Sequence, residues 1–419
     1  MMETTAIAGD PLPHEGRLHG LDALRAAALL GGVVLHAAVA YILPGGAWAV
    51  GQPKPQPFLG WLVYYLHSFR LEVFFLLAGF FGALVVGRRG ARAYARDRAL
   101  RILLVFVAAL YPMKLVLASI WITGGRRTGW LQLPPLIDGL PWYALAIGSV
   151  FTEPFPHIGL THLWFLYVLS CIVAIFLGAR AIVRRVVSRR DAFAGASRVL
   201  HTVVSSRAWP LVAALCVTPI LATMRGIDVD TPDRTLAWHL PVMALYGVFF
   251  AFGWWLHGQR ALLTVFAARW KTLLTIGVVT SAIAVTGVAV RLDGGDWAVA
   301  HATALRWATS FGTSLAMMAS VFGWMGAFTT WFSRPSARAR YVADASYFIY
   351  IAHLPIVVGL QVALSRSGAP WWVQVPAISA ITTGLLLLVY HWGVRYTWIG
   401  TWLNGPRRRP APDPATSRQ

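Results

Sequence analysis

The sequence predicts an all-α fold: a polytopic transmembrane bundle of about ten helices, with both termini on the cytoplasmic side. Three observations predict it. The 419-residue chain is 57% hydrophobic and only 12% charged, whereas a soluble chain carries roughly a quarter charged residues. Its apolar residues fall in runs near the ~20-residue length that a membrane crossing needs. Its cations cluster in alternate connections between those runs, as the positive-inside rule requires.

The runs, in order, are 22–43, 58–86, 99–122, 160–183, 209–224, 238–257, 272–291, 307–330, 345–364 and 371–394. A shorter apolar stretch, 139–152, reads as interfacial or re-entrant. The first run is a retained helix and not a signal peptide. It begins with Asp22 and Arg25 and contains His36, whereas a signal peptide has a basic start and a purely apolar centre.

With the N-terminus inside, the inner connections are 87–98, 184–208, 258–271 and 331–344, all arginine-rich. The outer ones hold acids, among them Asp138, Glu153, Asp228, Asp230, Asp233, Asp293 and Asp296. Trp48, Trp61, Trp142, Trp238, Trp297 and Trp371 fall near outer helix ends, as an aromatic belt does. The division is then a cytoplasmic segment 1–19, a transmembrane domain 20–396, and a basic cytoplasmic tail 397–419 that is expected to be disordered.

The formal net charge is +20. Because the excess sits in short connections, it reads as membrane orientation and not as a nucleic-acid footprint. Cys171 and Cys216 lie inside apolar runs. They form neither a disulfide framework nor a zinc spacing and read as small core residues. No nucleophile elbow, phosphate-binding glycine loop or paired-histidine zinc helix is present, so no metal is expected.

Ionisable side chains inside a bilayer are costly and mark function. In the first run Arg25 and His36 are eleven residues apart, close to three full turns. Both project from nearly one face, about 16 Å apart along the axis, with Asp22 one turn before Arg25. The plain alternative makes Asp22 and Arg25 interface anchors and His36 a satisfied bundle histidine. The second run carries His67, Ser68, Arg70 and Glu72, too deep to reach water easily. An ion pair holding the bundle together is the plain alternative there. Arg98 and Arg101 lie at the inner membrane edge, where i,i+3 guanidinium groups can clamp a phosphate. His162-Leu163-Trp164 opens the fourth run, and Ser346, Tyr350 and His353 share one face of the ninth.

Taken in order, these pieces resemble the acyltransferase-3 family of membrane acyltransferases. The carriers are Arg25 with ten residues before His36, Glu72-Val73-Phe74-Phe75-Leu76-Leu77-Ala78-Gly79-Phe80, the Arg98/Arg101 pair, His162-Leu163-Trp164-Phe165-Leu166, and Ser346 to His353. Gly20-Leu21-Asp22-Ala23-Leu24-Arg25 and His67-Ser68-Phe69-Arg70 resemble the glucans biosynthesis protein C group within it. Ala78 departs from the serine often found there; both are small.

The resemblance implies a membrane O-acyltransferase in the bacterial inner membrane. It implies transfer of an acyl group, succinyl above all, from cytoplasmic acyl-coenzyme A to hydroxyls of an extracytoplasmic glycan such as a periplasmic glucan. Acetyl transfer to another polysaccharide is the alternative within the family. Acyl-coenzyme A is expected as a donor substrate, with no tightly bound cofactor. The partners are the lipid bilayer, the donor and the glycan acceptor, with no nucleic acid; a homo-oligomer stays open. His36, His67, Arg70, Glu72 and His353 are the expected catalytic residues, with His36 as base and His353 its runner-up. Arg25, Arg98, Arg101 and Tyr350 are expected on the donor, and Asp22, His162 and Trp164 on substrate. The different-class alternative is a transporter or exporter of a glycan or organic anion, for which paired broken helices would be the sign.

Overall fold

A backbone inside lipid has no water to bond to, so it must satisfy its own N–H and C=O groups, and apolar runs become helices. The computed structural model describes residues 18–51, 56–186, 190–226 and 228–405. Among these residues there are helices and their connections, and no strand.

α1 (His19–Val39) carries Asp22 in its first turn, where a carboxylate suits the positive end of the helix dipole. α2 (Pro57–Arg98) starts on a proline that needs no hydrogen-bond partner there. Gly90 interrupts it with φ 81° and ψ 163°, a conformation open to glycine. Beyond it the chain turns back. A Cβ at Gly82 would lie 2.8 Å from the Tyr94 hydroxyl, whereas twelve residues of straight helix would separate the two by about 18 Å.

A π-helical turn (Ala99–Leu103) leads into α3 (Leu104–Thr128), which ends on left-handed Gly129. The wide turn frees backbone carbonyls, and side chains capture them. Tyr347 donates to the Arg101 carbonyl at 2.6 Å, and the Trp402 indole donates to that of Leu100 at 2.8 Å.

Two short helices follow, α4 (Pro135–Asp138) and α5 (Trp142–Phe151), the second packed on α3. A 3-10 turn (Thr161–Leu163) opens α6 (Trp164–Val186). Then come α7 (Arg190–Ser205), α8 (Trp209–Ala222), α9 (Leu240–His257), α10 (Leu262–Asp293) and the short α11 (Gly295–Ala300). α12 (Ala302–Trp331) precedes α13 (Ala337–Leu364), whose Ser336 cap accepts the Ala339 N–H at 3.2 Å. α14 (Trp371–Val389), a second π-helical turn (Tyr390–Val394) and α15 (Trp398–Asn404) complete the described chain. Eight helical stretches are long and apolar enough to cross a membrane, or nine if the bent pair Ala194–Ser205 and Trp209–Ala222, meeting at 114°, is one span.

Apolar side chains gain little from leaving lipid, so close backbone approach through small residues decides which helices pack tightly. α2 and α9 meet this way: a Cβ at Gly79 would strike the Phe250 carbonyl, and one at Gly253 the Leu76 carbonyl. α12 is the most buried span, and it lets α10 in over Ser320, Gly323 and Gly326. α1 lies between α2 and α13, with Gly20 against the backbone of α12 at Phe328.

Several expectations are corrected here. Residues 184–208 are not simply a connection, because α7 forms within them and packs on the bundle through buried Val204 and a Trp255–Ser197 bond of 2.9 Å. α10 begins inside the expected connection 258–271. The tail does not begin at 397: α15 buries Leu403, and Asn404 donates to the Asp344 carbonyl at 3.0 Å. The expected disorder beyond Gly405, like nearly all of the 1–19 segment, lies outside the described residues. Cys216 is exposed on α8 and is no core residue. Trp61 faces inward, bonded to Ser281 at 3.0 Å, while Trp142, Trp238 and Trp297 are exposed as a belt requires.

Gly253→Leu should force α2 and α9 apart, an overpacking cost of about 1–3 kcal/mol. Gly247, on the same helix, faces open space. Thermal unfolding in detergent should therefore show a lowered midpoint for Gly253→Leu and little change for Gly247→Leu.

Candidate active site

One cavity of about 1380 Å³ is lined by α2 from Val63 to Val85. That helical stretch is about 33 Å long at 1.5 Å per residue, close to the ~30 Å thickness of a hydrocarbon core. The cavity is larger than the ~300–1,000 Å³ of an ordinary small-molecule site. α1, from Arg25 to Val39, α3, α6 and α13 supply its other long walls.

Three histidines meet at its middle. The His36 ring lies 5.3 Å from that of His353, which lies 5.2 Å from His162. They come from α1, α13 and the 3-10 turn before α6. Carbonyl partners fix two of the tautomers. His353 donates from Nδ1 to the Tyr350 carbonyl at 2.7 Å, leaving its buried Nε2 without a partner. His162 donates from Nε2 to the Ile351 carbonyl at 3.1 Å, leaving Nδ1 without one. Tyr350 closes the ring of contacts by donating to the His162 carbonyl at 2.6 Å. His36 Nδ1 is likewise buried and unpartnered. Each of the three imidazoles thus keeps one buried nitrogen without a protein partner.

His36 is held from behind. Gln361 is buried and donates to the His36 and Ala37 carbonyls at 2.9 and 3.0 Å. These carbonyls lie in the last turn of α1, where no helical partner is available. Through Oε1, Gln361 accepts the Trp48 indole N–H at 2.8 Å. Trp48 in turn lies parallel to the His36 ring, 6.0 Å away with 6° between the planes. It is a wall of the cavity and not part of an outer belt.

The two ends differ in chemistry. At one end Arg98 and Arg101 share Asp97, at 2.5 and 3.0 Å, and Arg25 lies 3.7 Å from Asp22. The π-helical turn carries Arg101 onto the cavity wall, a use to which such turns are often put. At the other end His67 bonds to Asp228 at 2.8 Å, and Lys114, 4% exposed, pairs with Glu153. Asp233 lines this end as well, and burial pushes its carboxyl above the usual range.

Of the residues singled out in the sequence, His36, His67, Arg70, His353, Arg25, Arg98, Arg101, Tyr350, His162 and Trp164 all line this cavity. Asp22 does not, and Glu72 does not. Glu72 is 0% exposed, and neither carboxylate oxygen has a partner. Residues two apart point to nearly opposite sides of a helix. With Arg70 turned into the cavity, Glu72 faces away from it. Sequence reasoning missed Trp48, Gln361, Asp228 and the Lys114–Glu153 pair as site residues. Lys114 had a signal, since it is a charge inside an apolar run. Among the described residues no group of three or more His, Cys, Asp or Glu is arranged to hold a metal ion.

The profile of the acyltransferase domain family Acyl_transf_3 matches residues 18–391. The chain is also similar to glucans biosynthesis protein C of Escherichia coli strain SMS-3-5 / SECEC and of E. coli O1:K1 / APEC, 26% identical over 166 residues in each case. That similarity covers 38% of this chain and 38% of the length of each relative. No solved structure matches.

Gln361→Leu should leave two carbonyls of α1 and the Trp48 N–H without partners. Each buried unsatisfied group costs about 1–3 kcal/mol, so the variant should unfold in detergent at a measurably lower temperature than the parent.

Proposed function

This chain belongs to the acyltransferase domain family, and we propose that it moves an acyl group from cytoplasmic acyl-coenzyme A to a hydroxyl of an extracytoplasmic glycan. Succinyl is the first acyl group to test and a periplasmic glucan the first acceptor. The observation that carries this reading is the cluster of three imidazoles midway along a cavity as long as the membrane is thick.

The chain is read as an inner-membrane protein with both termini in the cytoplasm. Counting the fold-back at Gly90 as two crossings and the bent α7–α8 pair as one gives ten crossings. Arg25, Arg98 and Arg101 then lie at the cytoplasmic mouth, where guanidinium groups suit the phosphates of coenzyme A. The pantetheine arm is long, thin and largely uncharged. It can follow the α1 stripe for the ~16 Å that separates Arg25 from His36. The Asp228 and Lys114 end receives the glycan, with hydrogen-bonding groups of both signs.

Held together in this way, donor and acceptor react as if within one molecule. His36 takes the proton of the acceptor hydroxyl as its oxygen bonds to the thioester carbonyl carbon. The C–S bond then breaks, and the departing coenzyme A thiolate recovers the proton from the imidazolium. Histidine suits both steps because its ordinary pKa of about 6.5 lies near neutrality. His353 is the runner-up base, with Nε2 free. The tetrahedral centre carries negative charge, and the fixed cation of Arg70 favours it.

The experiment places purified protein in vesicles with the acyl-coenzyme A on one side and glucan on the other, and weighs the glucan by mass spectrometry. An acylated glucan that depends on the donor supports the reading. Movement of unmodified glucan supports the exporter reading, which a cavity of this length also permits. His36→Ala should lower transfer by about 10²-fold or more while donor binding persists; near-normal turnover moves the base to His353. For the orientation, cysteines introduced in 194–205 should resist an impermeant reagent applied outside intact cells, and labelling there would reverse it.

A further inference from the structure

Away from the cavity, a second group of cations gathers where α2, α6 and α9 meet, on the side read as cytoplasmic. Its centre is His257, the last residue of α9. Arg260 donates from Nη2 to His257 Nε2 at 2.6 Å, and from Nε to the His257 carbonyl at 3.3 Å. A guanidinium only donates, so Nε2 accepts and the ring proton sits on Nδ1. Arg88 of α2 is near enough for its charge to act on the same ring. One turn earlier in α9, Arg180 of α6 lies over the Trp254 ring, 5.3 Å from its centroid. Three arginines thus surround the last turn of α9, and neither they nor His257 line the cavity.

Membrane orientation explains cations on this side but not their gathering. The positive-inside rule asks only for charge in the connections, and like charges brought together repel. Among the described residues no carboxylate pairs with Arg88, Arg180 or Arg260. Asp22 pairs instead with Arg25, and Asp97 with Arg98 and Arg101. The floor beneath the arginines is aromatic. Phe176 of α6 packs on Trp254 with ring centroids 4.8 Å apart, and Phe80 of α2 meets the His257 ring at 5.2 Å. Phe176 and Trp254 are only half-buried, so part of each ring faces outward.

We infer that this groove binds an anionic phospholipid of the adjoining leaflet, its headgroup phosphate on Arg88, Arg180 and Arg260 and an acyl chain against Phe176 and Trp254. The inference goes beyond acyl transfer and does not rest on it. The chemistry of the ligand follows from the groove. A phosphodiester is an anion whose oxygens only accept, and forked guanidinium groups match it. His257 Nδ1–H is one more donor for it. The aromatic floor suits a hydrocarbon chain and offers nothing to a soluble phosphate. The depth agrees as well. Trp254 lies about 4.5 Å further into the membrane than His257 along the helix, so the apolar floor begins where a headgroup gives way to its chains. Basic pockets between spanning helices on the cytoplasmic side hold anionic headgroups in this way.

The test titrates the purified full-length protein in detergent with phosphatidylglycerol or phosphatidylethanolamine and counts bound lipid by native mass spectrometry. The two lipids share a glycerol phosphate and differ in net charge. The wild type should hold one phosphatidylglycerol about tenfold or more tighter than phosphatidylethanolamine. Arg88→Gln, Arg180→Gln and Arg260→Gln should each weaken phosphatidylglycerol about fivefold, the share of one cation at an anionic lipid surface. Arg338→Gln removes an exposed cation at the start of α13, on the same side of the membrane, and should change nothing. Equal affinity for the two lipids overturns the inference. An equal loss in Arg338→Gln also overturns it, because the effect would then belong to overall charge. Displacement of phosphatidylglycerol by inorganic phosphate would assign the arginines to a soluble anion and overturn it too. If Arg180→Gln or Arg260→Gln does not fold, Arg88→Gln decides, since Arg88 is exposed; an unchanged affinity there rejects the site.

Discussion

An ionisable or hydrogen-bonding side chain cannot be left facing hydrocarbon, and the rest of this bundle follows from that constraint. α1 and α2 carry His36 and Arg70, α13 carries His353, and α3 carries Lys114. All four turn to one side and line a single cavity. The opposite side of the bundle has the reverse character. Gly79 against Phe250, Gly253 against Leu76, and Ser320 to Gly326 against α10 bring backbones into near contact. The molecule therefore has a close-packed half built on small residues, and an open half held apart around its polar groups.

The helical runs, the stripe from Arg25 to His36 and the shared face of Ser346, Tyr350 and His353 were legible in the sequence. Each depends only on composition or on the helical repeat. Glu72 was grouped with Arg70 in the catalytic set, although their i,i+2 relation turns them to nearly opposite sides of α2. The meeting of His36, His353 and His162 was not legible, since the pattern within a helix does not say which helix lies beside it. Gln361 and Trp48 are 313 residues apart and bond across the fold; neither position carries a local mark of that partnership. Trp48 fits an aromatic belt by position alone, and only the ring beneath it distinguishes the two uses. α7 was hidden by its arginines, which made it read as a loop.

The histidine cluster shows how fixed backbone sets up side-chain chemistry. Carbonyls of α13 accept from His353 and His162, and this choice of acceptor leaves a definite nitrogen of each ring unpaired. The Gln361 amide does the equivalent for the end of α1, anchoring the backbone of His36 and the indole stacked on its ring. At the arginine end, Tyr347 and Trp402 hold the carbonyls released by the widened turn beside Arg101. The π-helical turn at Ala99–Leu103 thus comes with named partners and lies where Arg101 reaches the cavity wall.

A cavity nearly as long as the bilayer is thick has an electrical consequence. A continuous file of water through it would be a proton shunt across an energised membrane, where each charge that crosses releases about 2.3 kcal/mol per 100 mV. The file would have to be broken where rings from separate parts of the chain come together, at His36 with Trp48 parallel to it at 6.0 Å and His353 tilted against it at 5.3 Å. The residues read as chemical machinery thus also have to serve as the insulator. A substitution there that leaves a wet gap would tax the cell through its membrane potential, even with no substrate present.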